Sequence, residues 1–207
     1  MKQTSLILFC CLSFLTSCNE EDKGYGYGEY YVEMAMVQDD FSFLLDNGEC
    51  VYNTNKAVGF EPGTRTLLTY RYANPPENNE IFILRGQYIP LGRLKFVEKN
   101  LISESKNKPV RLESVWTGNH FLNIRFYMEF HSEIHHVSLW ADTREKNQNE
   151  INIYFLHDSN NDKPGAFKSE NISFDLKEAL GEPDGSKTLA VHIVSSNYGE
   201  KTYTFNY

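Results

Sequence analysis

The densest group of residues able to hold a metal or move a proton is His131, Glu133, His135 and His136. On an extended strand His131, Glu133 and His135 would share one face, because side chains alternate. Two imidazoles and a carboxylate on one face could form a zinc ligand set. The segment also falls between two strand-like runs. A hairpin there would break the alternation and leave the histidines facing solvent at a strand edge. Asp158, Asn160 and Asp162 open like a calcium loop, with oxygen ligands at alternate positions. Lys163 then stands where such a loop needs glycine, and Ser169 where it needs a bidentate glutamate. Asp and Asn also cap turns through their own side chains, so a hairpin loop is the plainer reading. No metal and no cofactor is expected at either place.

Other candidates for chemistry are thinner. Glu113 and Glu129 could pair for glycoside hydrolysis, but that chemistry depends on a separation the sequence does not fix. Cys50 could be a nucleophile; free cysteines more often act as small buried hydrophobes, here at the start of a strand. Gly24-Tyr25-Gly26-Tyr27-Gly28 lacks GxGxxG spacing and the strand-turn-helix context a dinucleotide needs. It reads as a spacer with aromatic handles. Asn171-Ile172-Ser173 matches a glycosylation sequon by chance. GxSxG, HExxH and P-loop motifs do not occur. No enzyme is expected. The alternative is a surface hydrolase using carboxylates or the His131/His135/His136 cluster.

The elements that would carry these residues are short strands. Apolar runs punctuated by Gly, Asn and Asp, with 14% aromatics and no long helical pattern, indicate an all-β chain. Strands are expected over 31–37, 41–45, 50–52, 65–72, 81–89 and 91–97, with a type I′ reversal at Asp46-Asn47-Gly48. Five or six strands in this space suit a small barrel over 31–103. The polar stretch Lys99 to Pro109 reads as the boundary between domains. Seven more short strands over 110–207 argue for an antiparallel β-sandwich. Lys177 to Leu180 reads as one helical turn closed by Gly181.

Leu15-Thr16-Ser17-Cys18 resembles a bacterial lipobox. Lys2 and the apolar run Leu6 to Leu15 complete a secretion signal over 1–17, too short for a membrane span of about 20 residues. Cys18 is then the lipid attachment point, and 18–30 an acidic, Gly-Tyr tether. The acidic run Asn19-Glu20-Glu21-Asp22-Lys23 resembles a surface-export signal, which implies an outer-membrane protein on the cell surface; a plain tether would leave it on the periplasmic face. Losing Lys2 leaves 19 basic against 28 acidic residues, a balance of −9. That disfavours nucleic acid and anionic lipid as partners, because both need a basic face, and no nucleic acid is expected. With Cys10 and Cys11 gone and Cys18 acylated, Cys50 is alone and no disulfide framework is expected.

Several fragments, in order, resemble the NigD-like lipoproteins of gut-type Gram-negative bacteria. They are Phe43-Leu44-Leu45-Asp46-Asn47-Gly48, Gly63 to Tyr70, Val115-Trp116-Thr117-Gly118, Phe121 to Phe126, His136 to Trp140, Phe155-Leu156-His157-Asp158 and Ile172 to Leu176. The resemblance implies an N-terminal OB-like barrel and a C-terminal β-sandwich. It brings no catalytic residues. The family takes its name from a bacteriocin-associated gene cluster, from which a role in producer immunity was proposed. His157-Asp158 stands where His-Asn is expected. The expected function is therefore a non-catalytic envelope lipoprotein, immunity-like, binding an extracellular or envelope protein or a glycan. Tyr25, Tyr27, Trp116 and Trp140 are the aromatics that could anchor such a ligand. A passive subunit of an envelope complex is the structural alternative.

Overall fold

A computed structural model describes residues 29–55, 59–73 and 79–207. Cys18, Tyr25 and Tyr27 lie outside the described residues. The first part comprises β1 (Tyr31–Val37), β2 (Phe43–Leu45), β3 (Cys50–Asn53), β4 (Arg65–Tyr72) and β5 (Glu80–Tyr88). They form a closed barrel in the order β1-β2-β3-β5-β4, with β4 pairing back onto β1. This is the OB-like arrangement, in which only β3 and β5 run parallel. Alternating residues fill the interior: Ala35 and Val37 from β1, Leu68 and Tyr70 from β4, Ile81 and Ile83 from β5. Phe60, from the loop before β4, crosses the backbone of β5, where a Cβ on Gly86 would fall 2.2 Å from its ring.

The reversal between β2 and β3 differs from the expected type I′ turn. That turn requires positive φ at both central residues, and Asn47 does not have it. Gly48 takes φ 87° and its N–H donates to the Leu45 carbonyl at 3.0 Å. The result is a helical turn followed by a left-handed glycine, with the Asp46 side chain free to point at the second part of the molecule.

That second part contains β6 (Leu91–Val97), β7 (Arg111–Gly118), β8 (Phe121–Phe130), β9 (His136–Asp142), β10 (Glu150–Asp158), β11 (Ala166–Asp175), β12 (Thr188–Ser195) and β13 (Gly199–Asn206). Their order is β13-β12-β10-β9-β6-β11-β8-β7. β6, expected in the barrel, belongs here. Leu91 to Arg93 pair with β11 and Leu94 to Val97 pair with β9. One strand thus hands the chain from one layer of the sandwich to the other, with Leu94 in the core. Both β6 pairings and the β10–β12 pairing are parallel, so the sandwich is mixed, not purely antiparallel. The stretch expected as a linker carries α1 (Lys99–Glu104), which buries no residue and lies against β9. The turn of helix α2 (Lys177–Leu180) ends at Gly181, φ 86°, as read.

β8 is buried on both faces. Leu122, Ile124 and Phe126 enter the sandwich core, while Phe121 and Asn123 turn toward the barrel. There they meet Arg65, which is 1% exposed. Its Nε donates to Ser173 at 3.1 Å, and its Nη2 donates to Asp46 Oδ1 at 2.5 Å and to Asn123 Oδ1 at 3.1 Å. The guanidinium carbon lies 4.1 Å from the centroid of the Phe121 ring. Asn123 donates in turn to Asp46 Oδ2 at 2.8 Å. Burial pushes the Asp46 carboxyl up and the Arg65 guanidinium down, and each is opposed by the charge of the other. The barrel and the sandwich are therefore joined through a buried ion pair. At Gly118 a Cβ would lie 2.4 Å from the Asp46 Cβ, so this close approach requires glycine.

Candidate functional site

One end of the sandwich holds a 340 Å³ pocket among the ends of β8 and β10, the start of β7 and the loop after β10. The antiparallel register of β9 and β10 sets His157 against Val137 and Asp158 against His136. Continued one step, it brings position 135 opposite position 159. The loop after β10 then turns back on itself. Asp158 Oδ1 accepts the Asn160 N–H at 2.8 Å, and Asn160 and Asn161 take left-handed φ of 51° and 58°. Asn tolerates that region better than most residues. The Asp162 N–H donates to the Ser159 carbonyl at 2.9 Å, which closes the loop and aims the Asp162 side chain inward.

The Asp162 carboxylate accepts from the backbone of His131 at 2.7 Å, Ser132 at 3.2 Å and Lys163 at 2.9 Å. Its Oδ2 also lies 3.2 Å from His135 Nε2. Burial alone would raise its pKa, but these donors outweigh burial and hold it well below the usual carboxylate range. His135 Nδ1 lies 2.9 Å from His157 Nε2, and His157 Nδ1 lies 3.1 Å from the Lys108 carbonyl. Side-chain exposure is 2% for both His135 and Asp162, and His157 is 3% exposed.

Donor and acceptor counting assigns the protons along this line. A carbonyl only accepts, so His157 Nδ1 carries a hydrogen. The ionised carboxylate only accepts, so His135 Nε2 carries one too. A third must lie between the two rings. Three protons on two imidazoles make one net positive charge, balanced by Asp162. Burial lowers the His157 pKa; the Lys108 carbonyl opposes this, and the charge on His135 adds to it. All four ring nitrogens are committed.

Ser159 also lines the pocket, is 4% exposed, and its hydroxyl has no hydrogen-bond partner among the described residues. A buried polar group without a partner marks a strained or functional position. With every imidazole nitrogen engaged, neither histidine is free to activate that hydroxyl.

The expected ligand sets for metals are dispersed. His131, Glu133 and His136 are exposed, while His135 turns inward to Asp162. Asp162 faces N–H donors, not a cation, so the calcium-like alternation is a turn. No group of three or more metal-ligating side chains occurs among the described residues. Glu113 engages Arg125 at 3.5 Å and Glu129 lines the pocket. Cys50 is half-buried at the start of β3, its Sγ 3.3 Å from Ser42 Oγ. Trp116 is half-buried beside Asp46, and Trp140 is half-buried between Tyr154 and Lys95. Asn171 is buried and accepts from Arg125 at 2.9 Å, which removes it as a glycosylation site. Sequence reasoning did not single out Ser159, Lys108 or Arg111, and it read His135, His157 and Asp162 separately.

The chain matches the NigD-like C-terminal beta sandwich domain over residues 94–207. Among solved structures it is similar to a protein of unknown function from Bacteroides vulgatus, with TM-score 0.74 and 19% identity, covering 86% of this chain and 91% of that one. It is similar to a NigD-like immunity protein from Bacteroides caccae, with TM-score 0.59 and 15% identity, covering 88% and 99%. A candidate lipoprotein from Bacteroides fragilis gives TM-score 0.63 and 11% identity, covering 86% and 98%. At these identities the structures establish a shared fold. No curated protein sequence matches.

Proposed function

Because the chain belongs to the NigD-like family, we propose that it is a non-catalytic, immunity-like binding protein of the cell envelope. Lipid on Cys18 holds it at the outer membrane, facing the cell surface, and an extracellular or envelope ligand is taken up by the sandwich. The commitment of both rings of the His135–His157 pair carries the non-catalytic half of this reading. Lipid anchoring is supported by the Leu15-Thr16-Ser17-Cys18 sequence and by the resemblance to a candidate lipoprotein. The immunity-like role is supported by the family and by the Bacteroides caccae relative.

Cells expressing the full chain should incorporate radiolabelled palmitate, and Cys18→Ala should lose the label. Protease added to whole cells should degrade the protein; survival under protease would place it on the periplasmic face. The purified chain should turn over no ester or glycoside panel above background. Turnover that disappears in Ser159→Ala would refute the non-catalytic reading.

A further inference from the structure

We propose that the pocket beside the His135–His157 pair takes a small organic carboxylate. Its acid group would sit among Lys108, Arg111 and the Ser159 hydroxyl, with its apolar body against Tyr127 and Phe167. The inference rests on the binding-protein reading and names the ligand chemistry of that site.

Charge is the first ground. The chain as a whole carries −8, yet Lys108, Arg111 and Lys163 converge on this pocket. The acidic groups in the lining are Glu129 and Asp162, and Asp162 is already covered by backbone N–H groups and His135. The lining therefore carries more basic than acidic side chains, the reverse of the chain as a whole, which favours an anion.

Donor geometry is the second ground. Arg111 lies over the Tyr127 ring, its guanidinium carbon 5.6 Å from the centroid. The ring draws the guanidinium to this side of the pocket by cation–π attraction, and its N–H fork suits a bidentate carboxylate. The Ser159 hydroxyl is a donor with nothing to donate to, and rotation about χ1 can turn it to a ligand oxygen. Shape is the third ground. Phe167 is 58% exposed and stands at this pocket with Pro164. An inorganic anion would leave that wall uncovered. At 340 Å³ the pocket lies near the small end of the roughly 300–1,000 Å³ range of small-molecule sites.

Calorimetric titration of the purified full chain with phenylacetate, phenylacetamide and inorganic phosphate tests this. Phenylacetate should bind, with the neutral amide and phosphate each at least about tenfold weaker. Arg111→Gln and Ser159→Ala should each weaken phenylacetate binding about tenfold. Arg111 is exposed, so its replacement leaves the fold intact. Ser159→Ala should hold or raise the urea midpoint, because it removes a buried hydroxyl that has no partner. A site that gains stability and loses affinity on the same substitution is a ligand site, not a packing position. Equal binding of the amide would overturn the carboxylate and leave the binding-protein reading standing. Equal binding of phosphate would overturn the organic body. Phenylacetate binding that ignores both substitutions, or no phenylacetate binding, would overturn the proposal outright.

Discussion

Arg65→Ala should destabilise the protein by about 3–5 kcal/mol, the range for breaking one side of a buried ion pair. For a chain of this size that corresponds to a fall in Tm of roughly 10 °C. The substitution leaves the Asp46 carboxylate facing Asn123 without its cation, uncovers the Phe121 ring, and strips Ser173 and Asn123 of a donor. Asp46→Ala should cost a similar amount by stranding the guanidinium. The double variant Arg65→Met with Asp46→Leu should be less destabilised than either single alanine variant. Desolvating both ions consumes much of what their attraction supplies, and apolar replacements avoid that cost. The guanidinium is itself incompletely paired: Nη1 has no partner among the described residues. Urea unfolding of the four proteins checks this. A loss below about 1 kcal/mol in Arg65→Ala, the level of a surface ion pair, would show that the barrel and sandwich do not depend on the joint.

The same joint shows what the sequence could and could not reveal. Strand positions were legible because alternation is local: Ala35 and Val37, Ile81 and Ile83, and Ile151 and Ile153 each mark one face. The order of a barrel before a sandwich was legible from turn spacing and from the family resemblance. The placement of β6 was not. Its two halves pair with β11 and β9, which lie about 80 and 45 residues downstream, and no local pattern encodes such pairings. Arg65 is marked in the sequence only as the first residue of the strand 65–72. Only the approach of Phe121, Asn123 and Ser173 buries it. The turn at Asp46 went astray for a related reason. Asp-Asn-Gly fits a type I′ hairpin, but the tertiary demand on Asp46 selects a different turn.

The pocket illustrates the same limit at a finer scale. His135, His157 and Asp162 were all visible as ionisable residues, and the strand alternation grouped His135 with His131 and Glu133. The loop between β8 and β9 is not the expected hairpin but a crossing from one layer of the sandwich to the other, and it cancelled that grouping. The pairing that exists instead requires the β9–β10 register and a left-handed Asn160-Asn161 turn. Ser159 carries no sequence signal at all, since its significance lies in having no partner.

His157→Ala should lower stability by about 2–4 kcal/mol, combining a cavity in a buried site with an orphaned carbonyl at Lys108 and an orphaned donor at His135. His157→Gln, which supplies both a donor and an acceptor without titrating, should recover part of this. The pair also predicts a pH dependence. The folded pKa of His157 is depressed, so the folded state binds its proton less readily than the unfolded chain. Its contribution is full above the unfolded value of about 6.5 and is lost as pH falls from there through the folded value. A proton on both rings would set two donors against each other across the 2.9 Å contact. Asp162 has the same sign lower down: its depressed pKa gives stability above the ordinary aspartate range, lost as pH drops below it. The urea midpoint of the native chain should therefore decline from pH 7 to pH 5 and decline again below pH 4. In His157→Gln the first decline should flatten while the second persists. If the native and Gln profiles run parallel from pH 7 to pH 5, the imidazole of His157 does not titrate against folding, and the proton assignment along Asp162, His135 and His157 is wrong.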